Sequence, residues 1–260
     1  MSKKGEGFSS MGEQPRVLLL TGAGVSSGSG IPDVKGQPEF QYKGEFYSYT
    51  ELMTRRCFEE DPDLFWAYHD TLTERLQNKK PNPAHLFSRE LHNRHLLEGV
   101  VTQNVDGLYN RVLPDTKVIE IHGNQHRLIC SKCRKTVTQY TQHKHRRTLC
   151  CRALVEPGVL LIGDTYTKQV RREVMNKVSQ ATHLIVMGTQ LQYSFVHSIV
   201  TNFNGKKILL NNEPVALVKT VRGIYGDIDY PVEWDEEHIT DFNKFNPDEW
   251  VEIVHNKLDK

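Results

Sequence analysis

Residues 16–33 read RVLLLTGAGVSSGSGIPD, an apolar run that passes directly into a glycine-rich loop. A short, continuous apolar run is typical of a strand that is buried on both faces of a parallel sheet. Glycines after such a strand let the backbone approach a phosphate, and amides at the next helix N-terminus stabilise its charge. The acidic residue that dehydrogenases place about 20 residues later is absent. The stretch alone also fits a simple tight turn, so it predicts a strand followed by a candidate nucleotide loop.

Similar apolar runs alternate with helical patterns along the rest of the chain. Further buried strands are predicted at residues 97–102, 117–122, 159–162, 183–188 and 207–211. Helices are predicted in two stretches of 49–79 and over 82–94, 105–111, 168–180 and 193–201. This alternation predicts an α/β fold with a mostly parallel sheet.

Composition and charge narrow the class of protein. The 260 residues include 33 Lys and Arg against 32 Asp and Glu, which gives a net charge of +1. A nearly neutral chain argues against bulk electrostatic binding to nucleic acid or to an anionic membrane. No apolar run approaches the roughly 18 residues of a membrane span, and the polar N-terminus has no apolar signal segment. We therefore expect an intracellular protein of the nucleus or cytoplasm, with no membrane and no direct nucleic-acid binding.

Four of the five cysteines lie close together in the sequence: Cys130, Cys133, Cys150 and Cys151. An odd number of cysteines without an export signal argues against a disulfide framework and favours a metal site. The first pair has the two-residue spacing of a zinc knuckle. The adjacent second pair is irregular, which leaves Cys150, His143 and His145 as alternatives for the fourth ligand, and unligated thiols as a further alternative. Cys57 stands alone and is expected to be a small buried apolar residue.

Polar side chains follow two of the predicted strands. Gln103, Asn104 and Asp106 come directly after the strand at 97–102, and His122 ends the strand at 117–122. The carboxyl ends of parallel strands are where α/β proteins bind ligands, although Asn and Asp also cap helices. This placement makes His122 a candidate general base near neutral pH.

Taken in this order, the motifs resemble those of the sirtuins, the NAD-dependent protein lysine deacylases. The resemblance runs from about Arg16 to Asp227 and includes the Gly226-Asp227 turn. It implies a catalytic role for His122 and Asn104. The positions that it implies for binding NAD are Gly22, Ala23, Gly24, Ser26, Ile31, Pro32, Asp33, Gln103, Asn104, Asp106, Gly188, Thr189, Asn211, Glu213 and Asp227.

The resemblance also implies how the chain is divided. It predicts a Rossmann-like parallel sheet with helices on both faces and a small zinc-binding domain. The limits that follow are a flexible tail at 1–14, an NAD-binding domain at 15–123 and 156–233, a zinc-binding insert at 124–155, and a C-terminal helical segment at 234–260. One structural zinc ion is expected, held by Cys130, Cys133, Cys151 and, as the favoured fourth ligand, Cys150.

The chemistry implied is acyl transfer from a protein or peptide lysine to ADP-ribose. The acyl oxygen attacks the nicotinamide ribose, nicotinamide leaves, and His122 deprotonates a ribose hydroxyl before water releases lysine and acylated ADP-ribose. Asn104 is expected to orient the ribose or water, and Asp106 to hold the nicotinamide carboxamide.

The sequence departs from the sirtuin pattern at several places, and two of them bear directly on the activity. Val34-Lys35 stands where the family has Phe-Arg, whose aromatic ring covers the reactive ribose face. This change favours an alternative activity, NAD hydrolysis or ADP-ribosyl transfer. Ile162-Gly163-Asp164 replaces Phe-Gly-Glu but keeps an apolar residue for an acyl-lysine tunnel. A non-enzymatic NAD-sensing or protein-binding module is a further alternative, against which the intact polar strand ends and His122 argue.

Overall fold

A parallel sheet forms the centre of the molecule, for which the computed structural model describes residues 14–34, 36–140, 146–211, 234–239 and 246–258. The strands in this part of the chain are β1 (Val17–Thr21), β2 (Phe40–Tyr42), β3 (Glu45–Tyr47), β4 (Leu97–Thr102), β5 (Val118–Glu120), β6 (Gly123–Cys130), β7 (Val155–Val159), β8 (His183–Met187), β9 (Lys206–Asn211) and β10 (Glu236–Ile239). Six of them form one sheet in the order β10-β9-β8-β1-β4-β5, and all of its pairings are parallel. The predicted α/β fold is confirmed.

The described residues form helices α1 (Ala23–Ser26), α2 (Tyr49–Leu52), α3 (Arg55–Glu60), α4 (Pro62–Gln77), α5 (Pro83–Asn93), α6 (Lys168–Gln180), α7 (Ser194–Thr201) and α8 (Pro247–Leu258). Helices α5 and α8 pack on one face of the sheet, and α6 and α7 pack on the other. Among the described residues, no helix has the length and apolar character that crossing a membrane requires. Helices α3 and α4 are separated at Asp61: its carboxylate accepts from the Leu64 amide, and Pro62 is the first residue of α4.

The burial of strand β1 on both faces explains why its sequence is continuously apolar. Successive side chains of a strand point to opposite faces of the sheet. Val17 and Leu19 pack in one core cluster with residues of α5 and α8. Leu18 and Leu20 pack in a second cluster with residues of α6 and α7. Because helices cover both faces, every position from 17 to 20 must be apolar.

A third hydrophobic cluster lies apart from the sheet. It joins α2 and α4, through Leu52, Phe65 and Tyr68, to Val155 and Leu161 around β7. The sequence assigned residues 49–79 to the NAD-binding domain, whereas the structure packs their apolar side chains with the segment that carries the cysteines. Helices α2 and α4 therefore pack with the small region, and the limits of the insert at 124–155 stay a prediction.

A β-hairpin was not predicted, and its turn explains its stability. Strands β2 and β3 pair in antiparallel fashion with Tyr42 opposite Glu45, so Lys43 and Gly44 form a two-residue turn. Both turn residues have positive φ, 52° and 94°, as a type I′ turn requires. Gly44 was the only sequence signal for this turn, because Lys seldom adopts this conformation.

Three predicted elements differ from the observed ones. The C-terminal segment contains strand β10 before helix α8, and β10 takes its register from β9. The strand predicted at 159–162 instead covers Val155–Val159. The helix predicted at 105–111 is reduced to a 3₁₀ turn at Tyr109–Arg111, because Gly107 has φ of +71°. The tail at 1–13, Glu213 and the Gly226-Asp227 turn lie outside the described residues.

Candidate active site

The strand ends that carry the polar motifs lie level at one edge of the sheet. Thr21 pairs with Thr102 on one side and with Met187 on the other. Thr102 in turn pairs with Glu120. The loops that follow β1, β4, β5 and β8 therefore leave the sheet side by side, as expected for a ligand site of an α/β fold.

The glycine-rich loop packs directly against the loop after β8. The Gly24 amide donates to the Gly188 carbonyl at 2.9 Å. A Cβ added at Gly22 would lie 2.7 Å from the Cβ of Thr189, and one at Gly188 would lie 2.4 Å from the amide nitrogen of Val25. Gly188 also has φ of +60°. These glycines are thus needed for the contact between two loops, whatever ligand the loops bind.

A buried hydrogen-bond network joins the loops after β1 and β4. The Asn104 side-chain amide donates to the Gly22 carbonyl and to the Ser26 hydroxyl, both at 3.0 Å. Ser26 donates to the Asp106 carboxylate at 2.6 Å, and the other carboxylate oxygen accepts from the Leu108 amide. All three side chains are buried. The structure therefore brings Ser26 together with Asn104 and Asp106, which follow it by 78 and 80 residues in the sequence.

The loop after β8 is tied to β4 and β9. The Gln103 side chain donates to the Thr189 hydroxyl at 2.8 Å. Asn211, at the end of β9, donates to the Thr189 carbonyl at 3.3 Å. The Oδ1 atom of Asn211 is buried and has no hydrogen-bond partner among the described residues. A buried acceptor without a donor costs free energy, so a ligand hydroxyl here is favourable.

The imidazole of His122 is held in one tautomer by the backbone. Its Nδ1 lies 2.8 Å from the carbonyl oxygen of Gln103. Because a carbonyl oxygen only accepts, Nδ1 carries the hydrogen and Nε2 keeps a lone pair. Burial lowers the pKa of His122 to about 4, against an opposing effect of the Gln103 carbonyl. The ring is neutral near pH 7 and can accept a proton at Nε2, as a general base must.

Sequence reasoning missed an aromatic group around His122. The Tyr166 hydroxyl lies 2.8 Å from Nε2 of His122, and the Tyr193 ring meets the imidazole edge-on at 5.0 Å between centroids. Phe195 supports Tyr166 at 4.9 Å between ring centroids. The nearness of Tyr166 to His122 had no signal in the sequence, because 44 residues separate them.

The second half of the glycine-rich motif lies at the surface. Ile31 is half-buried, whereas Pro32 and Asp33 are exposed. The Asp33 carboxylate accepts from the Gly36 amide of its own turn rather than joining the network of Ser26 and Asp106. Val34, which departs from the family pattern, is 46% exposed, and Lys35 lies outside the described residues.

The segment after β7 is fixed to helix α3. The Ile162 amide donates to the Met53 carbonyl, and the Arg55 amide donates to the Ile162 carbonyl, both at 2.9 Å. Arg55 also forms a bidentate ion pair with Asp164. The Ile162 side chain is 44% exposed, so a rigid backbone presents an apolar side chain to solvent.

The four clustered cysteines converge to one point. Two turns of the same kind carry the two pairs, and each is followed by an arginine with positive φ, Arg134 and Arg152. The four Sγ atoms all lie within 4.8 Å of one another, and those of Cys133 and Cys150 are 3.8 Å apart. Tetrahedral zinc with bonds of about 2.3 Å to sulfur requires separations of about 3.8 Å.

This geometry shows that the adjacent cysteines can both face one ion. The cluster can hold one zinc ion, with Cys150 as the fourth ligand. The alternatives His143 and His145 lie outside the described residues. With four protein ligands no position is left for water, which is the arrangement of a structural rather than a catalytic zinc site.

Comparison with known proteins defines the class to which this fold and site belong. The model of the Sir2 family matches residues 22–195. The crystal structure of a Sir2 homologue in complex with NAD has 27% identity and a TM-score of 0.75, and covers 94% of this chain and 90% of that chain. A Sir2 complex with a p53 peptide and NAD+ has 25% identity and a TM-score of 0.68, over 93% of this chain and 92% of that chain.

Curated relatives agree with this class. An NAD-dependent protein deacylase of Thermococcus kodakarensis is 31% identical over 81% of this chain and 87% of its own length. An NAD-dependent protein deacylase of Pyrococcus furiosus is 29% identical over 86% of this chain and 94% of its own length. The chain belongs to the Sir2 family, as the sequence motifs predicted.

Proposed function

We propose that this protein removes acyl groups from protein lysines and transfers them to ADP-ribose, using NAD. The observation that carries the proposal is the geometry of His122, a neutral imidazole with its Nε2 lone pair at the ligand edge of the sheet. Its relatives are NAD-dependent protein deacylases, and a Sir2 complex holds both a peptide and NAD+. The substrate is an acyl-lysine protein or peptide.

The residues present fit NAD. The unpartnered Oδ1 of Asn211 is suited to a ribose hydroxyl, and the glycines at 22 and 24 keep side chains out of the first loop. Asp106 holds the carboxamide of nicotinamide, and Asn104 orients the ribose or water. When bound, NAD supplies a ribose carbon with nicotinamide as its leaving group. Gly188 and Thr189 complete the adenosine side of the site, and Gln103, on the ribose and nicotinamide side, bonds to Thr189.

His122 is the general base. It takes up the proton of a ribose hydroxyl at Nε2, while Nδ1 remains bonded to the Gln103 carbonyl. General-base catalysis by a positioned side chain contributes about 10²–10⁴ in rate. The zinc ion has no part in this step, because its four ligands close the coordination sphere.

The acyl-lysine enters along the segment after β7. The exposed Ile162 provides an apolar contact for the acyl-lysine chain, and the Arg55–Asp164 ion pair keeps this backbone in place. The nucleus or the cytoplasm stays the predicted location of the reaction.

A second candidate function is NAD hydrolysis or ADP-ribosyl transfer. The exposed Val34 favours it, because a small side chain at this position leaves the reactive ribose face less covered than an aromatic ring does. Water or another acceptor would then replace the acyl-lysine.

Nicotinamide release from NAD, measured with and without an acetyl-lysine peptide, separates these functions. We expect release over many turnovers that depends on the peptide and that falls by about 10²–10⁴ in His122→Ala, because the steps after nicotinamide departure are slowed. Release that is independent of the peptide supports the hydrolase or ADP-ribosyltransferase. No release in either case supports a binding module that senses NAD without turnover.

A further inference from the structure

The lone pair that His122 needs as a base is already engaged by another side chain. The Tyr166 hydroxyl lies 2.8 Å from Nε2, and the two rings are stacked with 21° between their planes. Because Nδ1 carries the ring hydrogen for the Gln103 carbonyl, Nε2 is an acceptor and the Tyr166 hydroxyl must donate to it. A substrate hydroxyl that donates its proton directly to Nε2 would first have to displace the Tyr166 hydroxyl from this hydrogen bond.

The surroundings fix Tyr166 in this position. Its ring packs on Phe195, and the Arg171 guanidinium lies 5.5 Å from its centroid and 4.6 Å from that of Phe195. The charged and titratable groups that face this pair are Arg171 and Tyr193. Burial raises the pKa of Tyr166 above its usual value, so the hydroxyl keeps its proton near pH 7.

The oxygen of Tyr166 has room for a second hydrogen bond. A hydroxyl can donate one hydrogen bond and accept others. In the described part of the chain, the bond to His122 is the one hydrogen bond of this hydroxyl. Its acceptor positions therefore remain for a hydroxyl of the substrate.

We propose that Tyr166 relays the proton from a ribose hydroxyl to His122. The ribose O–H bond breaks and its proton passes to the Tyr166 oxygen. At the same time the O–H bond of Tyr166 breaks, and that proton forms an N–H bond at Nε2 of His122. Tyr166 ends neutral, His122 ends as imidazolium, and the electron pair of the broken ribose O–H bond stays on the ribose oxygen for attack. The imidazolium later returns its proton by the same path. This relay rests on the function proposed above.

The variant Tyr166→Phe tests the relay, because it keeps the ring and removes the hydroxyl. Tyr193→Phe is the matched control, since it removes a hydroxyl from another ring that touches His122 without bonding to Nε2. Two readouts are taken from the full-length protein. The first is the ¹⁵N NMR signal of His122 Nε2 without NAD. The second compares deacetylation of an acetyl-lysine peptide with exchange of labelled nicotinamide into NAD.

The relay predicts that Tyr166→Phe shifts the Nε2 signal and slows deacetylation by about 10²-fold. The rate of nicotinamide exchange should change by less than about threefold, because exchange precedes the loss of the ribose proton. A change of this size is well below the rate factor of about 10²–10⁴ that general-base catalysis contributes. Tyr193→Phe should change the rates of deacetylation and of nicotinamide exchange by less than about twofold.

Three results would overturn the relay. An unchanged Nε2 signal means that the hydrogen bond is absent in solution. A shifted signal with full or increased deacetylation means that the substrate displaces Tyr166 instead of using it. Equal losses of deacetylation and exchange point to a structural effect of the variant. Absence of deacetylation in the wild type would overturn the proposed function, whereas wild-type activity retained in Tyr166→Phe overturns the relay alone.

Discussion

The sheet-edge site and the cysteine cluster are held in place by different forces. Behind the site lie β1, which is buried throughout, and the largely buried strands β4 and β8, and the polar side chains of the site bond to one another and to the backbone. Around the cysteines the chain exposes large apolar side chains, including Leu149 at 61% exposed. The difference indicates that the site takes its rigidity from the core behind it, whereas the turns that carry the cysteines lie beside the third hydrophobic cluster and need a metal to fix them.

The largest effect on folding is expected from removal of a zinc ligand. Cys130→Ser should lower zinc to well below one ion per chain, because a structural site binds through thiolates and its binding energy is folding energy. The cost to the cysteine region should be on the order of several kcal/mol, a fraction of the roughly 10–16 kcal/mol of structural zinc binding. Elemental analysis and thermal unfolding measure both.

The control for this variant is Cys57→Ser. Cys57 lies in α3, half-buried and outside the cluster, and burial raises the pKa of its thiol to about 11. It should keep one zinc ion per chain. A folded, active Cys130→Ser protein with unchanged zinc would show that the cysteines are not the metal site.

His122→Ala should differ from Cys130→Ser in both properties, because it should lower the activity and leave the zinc content unchanged. Deacylation should fall by about 10²–10⁴, because the general base is removed. Zinc content should not change, and NAD should still bind and raise the melting temperature, by a stabilisation of about 2.7 kcal/mol at 100 Kd. Isothermal titration and product assays on one preparation test this separation. Activity within a few-fold of the wild type would exclude His122 as the base.

Gly188→Ala should disturb the site by disrupting the contact between the glycine-rich loop and the loop after β8. The new Cβ would lie 2.4 Å from the Val25 amide nitrogen in a residue with φ of +60°. Left-handed backbone costs roughly 1–2 kcal/mol for other residues, and overpacking adds about 1–3 kcal/mol. Gly44→Ala is the matched control, because Gly44 also has positive φ, but no atom of the described residues lies within 4 Å of the added Cβ. Equal losses of stability would show that the loop contact is not tight.

The smallest effect is a change in pH dependence. Only neutral His122 accepts a proton, and burial lowers its pKa to about 4. Because the pKa of His122 is lowered, the pH below which activity is lost is lowered as well. We therefore expect kcat/KM to stay nearly constant from about pH 7.5 to pH 6, a range that includes the ordinary histidine pKa of about 6.5. Initial rates in buffers of constant ionic strength measure the profile. A half-loss near pH 6.5 would contradict a buried base.

The parts of the fold that could be predicted are those with a local cause. The apolar run at 17–20 follows from burial on both faces, and the metal cluster follows from the spacing of Cys130 and Cys133. The sequence left the fourth ligand open because the adjacent pair looked strained, whereas paired turns bring Cys150 and Cys151 to the same point.

The parts that could not be predicted depend on distant partners. Strand β10 takes its register from β9 rather than from an apolar run of its own. The contact of Tyr166 with His122 requires the packing of Tyr166 on Phe195, which no local pattern encodes. The polar residues at the strand ends were recognised, but the bond from Ser26 to Asp106 needed the sheet to bring their loops together.

Transfer of an acyl group from lysine to ADP-ribose at the sheet edge can be followed by mass spectrometry of the products formed from NAD and an acetyl-lysine peptide. We expect acetylated ADP-ribose and free lysine peptide in equal amounts, and about 10²–10⁴ less of both with His122→Ala. Unmodified ADP-ribose formed while the peptide stays acetylated would contradict it.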